Sequence, residues 1–163
     1  MRPFEELLSE QEEKDIRIRR TILIGLFSFW ELSLKDLCEY YKINVTKTKN
    51  NKNKKEEISK HVYKFSENDY LNAIFRDHRP KNIALISSQI KELRNYMAHG
   101  NAGEDRQVII DNFIVTNPDF CVSEISGDYY ITSYDGLDKM LKIITEGLID
   151  AETTAKNLKT QTN

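Results

Sequence analysis

Arg94 and His99 stand five residues apart in the run Arg94-Asn95-Tyr96-Met97-Ala98-His99-Gly100, and together they could act on a phosphate. A guanidinium presents a fork of donors that stabilises charge on phosphorane oxygens. An imidazole can take the proton of a ribose 2′-hydroxyl, or supply one to the leaving 5′-oxygen. That pairing suits RNA cleavage without a metal. One imidazole cannot readily be base and acid in the same in-line step. A symmetric dimer removes the difficulty by bringing two histidines and two arginines to one axis. Small Ala98 beside Tyr96 and Met97 would let two helix ends approach there. A plainer reading competes: Arg94 pairs on the surface with Glu92 or Asp105, and His99 closes a helix at the negative end of its dipole. Spacing alone favours the plainer one.

Other chemistry has little footing. There is no glycine-rich phosphate loop, no Gly-x-Ser-x-Gly elbow and no His-Glu-x-x-His pair. Of the three histidines, His61 sits among lysines and His78 lies between Asp77 and Arg79, as surface residues do. Cys38 and Cys121 are far apart and lack metal-ligand spacing, so no structural zinc is expected and a reducing compartment is the simpler reading. No cofactor is implied.

Length and composition bound the rest. The 163 residues are enough for one domain with its own core, expected over residues 1–158 and followed by a frayed polar tail at 159–163. A net charge of −2 announces no global field for a polyanion, so any nucleic-acid site must come from local clustering. Met1 to Asp15 is acid-rich without a continuous apolar core, so no secretion signal is expected. The most apolar run, Ile22 to Trp30, is too short for a membrane span, which needs roughly 20 apolar residues. A cytoplasmic protein without membrane contact is expected.

The elements that must position the pair can be read in order. Phe4 to Tyr41 predicts one long helix, with a break near Ser9 to Gln11 as an alternative. Within it Ile24, Phe27, Glu31, Leu34, Cys38 and Tyr41 recur at spacings of 3, 4, 3, 4 and 3, which places Glu31 in an apolar seam. A carboxylate there must be paired or protonated. It either sits at the seam's edge against water or a structural arginine, or orients the arginine or histidine of a site. Asn44 to Lys55 reads as a solvated lysine-rich loop, with a basic arm that holds phosphates as the second reading.

Glu56 to Phe65 predicts a short helix, and Ser66 caps the next through Asp69. After Pro80, a helix from about Lys81 to His99 carries Ile83, Ile86, Ile90, Leu93 and Met97 as its apolar stripe, closed by Gly100. The texture then changes. Phe113 to Thr116, Phe120 to Ile125 and Tyr129 to Thr132 predict an antiparallel hairpin of up to three short strands. From Tyr134 a last amphipathic helix follows, with fraying after Ala155. The fold class is mainly α, a helical bundle with a small hairpin before the C-terminal helix.

The string Arg94-Asn95-x-x-Ala98-His99-Gly100, ending an amphipathic helix, resembles the signature of the HEPN superfamily. Trp30-Glu31 on the first long helix, and a hairpin before the last one, are similar to its subgroup associated with RNA processing and bacterial defence. The resemblance implies a HEPN-like bundle that dimerises across the motif helices. It also implies a metal-independent endoribonuclease, a toxin or antiphage effector acting on tRNA, mRNA or rRNA and leaving 2′,3′-cyclic phosphate. Carried over by position, His99 is the acid/base, Arg94 stabilises the phosphate, Asn95 is an auxiliary polar group and Glu31 supports them. One departure matters: relatives neutralised by a nucleotidyltransferase antitoxin often carry Tyr two residues after the His, and here that position is Asn101. A cognate antitoxin or immunity protein working by another route stays open as a partner. Two other classes remain: a non-catalytic HEPN-like module binding RNA or protein, and an immunity protein that docks through its lysine loop.

Overall fold

A 37-residue helix, α1 (Phe4–Tyr40), is the beam on which the other elements rest. At 1.5 Å per residue it is about 55 Å long. It runs unbroken through Ser9 to Gln11. The computed structural model describes residues 4–47, 65–76, 78–100 and 103–161. The predicted helix at Glu56 to Phe65, and the lysine-rich loop beyond Lys47, lie outside those residues but for their ends.

The buried face of α1 is Leu23, Phe27, Trp30, Leu34 and Cys38, all at 0–2% exposure. These spacings of 4, 3, 4 and 4 centre the core one residue before Glu31, so Glu31 stands at the seam's edge. The two alternatives left by the sequence differ by only one residue's rotation. Cys38 lies in this core, and burial first, then the Glu39 charge, pushes its thiol up to about 11. Cys38 and Cys121 are both free thiols.

Helix α2 (Glu67–Phe75) begins with a capping box: Ser66 Oγ accepts from the Asp69 N–H, and Asp69 Oδ2 accepts from the Ser66 N–H at 2.8 Å. Its apolar residues Tyr70, Leu71, Ile74 and Phe75 are buried, as their spacing predicts. The next helix comes in three parts: α3 (Lys81–Leu85), a π turn over Ile86–Ile90, and α4 (Lys91–His99). All five stripe residues, Ile83, Ile86, Ile90, Leu93 and Met97, are buried. The wide turn was not visible in their spacing, because a π turn keeps right-handed helical dihedrals and adds one residue without a sequence mark.

One expectation fails clearly. Phe113 to Thr116 is the end of a helix, α5 (Glu104–Thr116), and not a strand. Val108 at 67% and Val115 at 78% exposure point outward, while Ile110 and Phe113 enter the core three residues apart. Tertiary packing of that pair, with Glu104 and Asp105 suiting the first turn, outweighs local β preference. The hairpin therefore has two strands, β1 (Val122–Ile125) and β2 (Asp128–Ile131), antiparallel with Val122 opposite Ile131. Ser126 and Gly127 make its turn with positive φ, as the Ser-Gly-Asp chemistry anticipates.

The last helix, α6 (Tyr134–Gln161), packs along α1 and remains helical past Ala155. Two of its glycines mark close approaches. A Cβ on Gly136 would fall 2.1 Å from the Phe120 carbonyl oxygen, and one on Gly147 would fall 2.9 Å from Ile86 Cδ1. No helix among the described residues is long and apolar enough to cross a membrane.

Candidate functional site

Arg94 is held from two sides by α1. Its Nη2 donates to Glu31 Oε1 at 2.9 Å, and its guanidinium carbon lies 4.4 Å above the centre of the Phe27 ring. Phe27 and Glu31 are four residues apart on α1, so one helical turn supplies both the platform and the carboxylate. The Arg94 side chain keeps 20% exposure and Glu31 keeps 41%. At that exposure the ion pair contributes orientation more than stability. Arg94 Nε is buried and makes no hydrogen bond among the described residues. The surface partners first open to Arg94 are not used: Glu92 binds Arg106 at 2.7 Å and ties α4 to α5.

His99 is the last residue of α4 and is exposed. Gly100 follows at φ +71°, the left-handed conformation expected of a helix-closing glycine, and its N–H donates to the Tyr96 carbonyl at 2.7 Å. Tyr96 anchors this end of the helix. Its hydroxyl donates to Asp128 on the hairpin, and its ring meets Tyr129 edge-on at 5.1 Å. Tyr129 in turn donates to Asp111 on α5 at 2.7 Å. The segment that ends in His99 is thus fixed by α1, α5 and the hairpin, while the imidazole itself stays open.

Asn95 is half-buried, and its side chain makes no hydrogen bond among the described residues. Of the four candidate residues, the structure brings Arg94 and Glu31 into contact. His99 lies on the same helix, about 7.5 Å further along its axis by the rise per residue. His78 is exposed, as its neighbours suggest. No set of three or more His, Cys, Asp or Glu among the described residues is placed to hold a metal. A groove of about 650 Å³ runs between α1 and α6 past Tyr40, Tyr41, Leu148 and Ile149, and is lined by none of the four.

Glu67 was not singled out in the sequence, where it reads only as an acid in a first helical turn. It is 4% exposed, and neither carboxyl oxygen makes a hydrogen bond among the described residues. The Trp30 indole N–H lies near enough to favour the carboxylate without reaching hydrogen-bonding geometry. Burial, opposed first by Lys91 and reinforced by Glu31, raises the Glu67 carboxyl from 4.5 to about 7. A carboxyl that holds its proton more tightly folded than unfolded weakens the fold as pH rises. Its contribution is whole below 4.5 and is lost as pH climbs through about 7. Glu67→Gln should therefore gain on the parent by on the order of 3 kcal/mol between about pH 4.5 and pH 8. Urea denaturation across that range checks this, and parallel stability profiles for the two proteins would refute it.

No family model, curated protein or solved structure matches the chain.

Proposed function

We propose that the protein is a metal-independent endoribonuclease of HEPN type, working as a homodimer with a composite site built from Arg94 and His99 of both subunits. The observation that supports this reading most is the contrast within α4: a guanidinium oriented by Glu31 and Phe27, and an exposed imidazole at the same helix's end. The bundle with its hairpin before the last helix accords with the resemblance.

In this mechanism one His99 withdraws the 2′-hydroxyl proton, and that oxygen attacks the adjacent phosphorus. The partner copy's imidazolium gives its proton to the departing 5′-oxygen as the P–O5′ bond breaks. Arg94 from each chain stabilises the phosphorane through its remaining donors. Glu31 acts through Arg94 as a positioning residue, holding the fork at a fixed angle. Asn95 serves as an auxiliary polar group beside Arg94. A toxin or antiphage role follows from such an activity acting on tRNA, mRNA or rRNA, with an antitoxin or immunity protein as its restraint.

Cleavage of a synthetic oligoribonucleotide should persist in excess EDTA and leave 2′,3′-cyclic phosphate and 5′-hydroxyl ends. Products with 5′-phosphate, or a strict magnesium requirement, would overturn the chemistry. RNA binding without cleavage would favour a non-catalytic module instead.

A further inference from the structure

Away from the core, α1 carries a second apolar line. Ile18 (48% exposed), Ile22 (38%), Phe29 (55%) and Leu32 (55%) recur with Gly25 at spacings of 4, 3, 4 and 3. This is the face opposite Phe27, and it is the period of a helix-on-helix seam. Gly25 has no monomeric explanation: a Cβ there would meet nothing within 4 Å, and glycine costs a helix about 1 kcal/mol relative to alanine. A glycine in the middle of an apolar seam lets a second helix approach closely.

We infer that this face pairs with the same face of a second copy, the two α1 helices antiparallel about a two-fold axis at Gly25. The apolar residues would pack in either direction, and the charges at the two ends choose the antiparallel one. Reversed about Gly25, Ile18 falls opposite Leu32 and Lys14 opposite Asp36 at both ends, while Ile22 and Phe29 lie one residue out of register and pack diagonally across the seam. A parallel pairing would stack Lys14 on Lys14 and Asp36 on Asp36 instead. Neither Lys14 nor Asp36 has an ion-pair partner among the described residues, and both are exposed.

The shape agrees. Ser9 to Lys14 are exposed on every side of the helix, so this part of α1 projects beyond its own bundle. Antiparallel pairing lays that projection along the partner's residues 36–41, over the groove lined by Tyr40, Tyr41, Leu148 and Ile149. From residue 14 to residue 36 the seam is about 33 Å long, enough for a specific helix pair. Because the face lies opposite the platform on which Arg94 rests, this contact is separate from the composite site and leaves His99 open; with both two-folds in use the assembly closes as a tetramer, which loss of this seam reduces to the composite-site dimer.

Sedimentation velocity of the full chain tests it. The double variant Phe29→Glu/Leu32→Glu should sediment at half the parent's mass with unchanged far-UV circular dichroism. An unchanged mass, or a monomeric parent, would overturn the proposal. Register is read by single cysteines in a Cys38→Ser/Cys121→Ser background, with a short bis-maleimide linker. Gly25→Cys should link to itself and Tyr40→Cys should not. Linking at both positions, or at neither, would rule out the antiparallel seam.

Discussion

His99→Ala is expected to lower RNA cleavage by about 10²–10⁴-fold, the range ascribed to a positioned general acid or base. The side chain is exposed and makes no hydrogen bond or ion pair among the described residues, so thermal stability and association state should stay at the parent's values. Single-turnover rates on a labelled oligoribonucleotide measure the effect. A variant that cuts as fast as the parent would remove His99 from the mechanism, whatever else the protein does to RNA. Arg94 is a poorer first test. Removing it also uncovers the Phe27 ring and leaves Glu31 alone, so a loss of activity there would mix chemistry with packing.

Trp30→Ala should be the most damaging single change to stability, at about 3–5 kcal/mol. Trp30 is fully buried, and α6 comes so close that a Cβ on Gly147 would sit 3.2 Å from its ring. Truncation opens a cavity at the α1–α6 contact that backbone so tightly placed cannot collapse to fill. A loss of that size consumes a large part of a domain's usual margin. Urea denaturation followed by far-UV circular dichroism reads it, since the variant lacks the chain's single tryptophan. A loss below about 1 kcal/mol would show that the core relaxes there.

Much of the frame is legible from side-chain periodicity. The five-residue stripe from Ile83 to Met97, the Ser66 cap and the left-handed Gly100 all stand where local chemistry places them. What escapes are features decided between elements. Residues 113–116 look like a strand because Ile114, Val115 and Thr116 are β-branched, and only the burial of Ile110 and Phe113 against their neighbours makes them helical. In α1, apolar residues on both sides of Glu31 leave the seam ambiguous by one position, and the packing of Trp30 settles it. The Arg94–Glu31 contact spans 63 residues, so the sequence offered Glu31 as one candidate partner among several. Glu67 could not be found at all, since nothing in an acid near a helix start tells that the chain will fold over it.

The π turn at Ile86–Ile90 bears on how this gene can vary. It separates α3, which packs on α6, from α4, which brings Arg94 to α1. A turn already carrying one surplus residue can lose a codon and close to ordinary α geometry, with the downstream side chains keeping their bearing. A gained codon has no such slack, and would swing Arg94 and His99 around the helix axis by about 100°. Length polymorphism at this point should thus be one-sided, shortening tolerated and lengthening not.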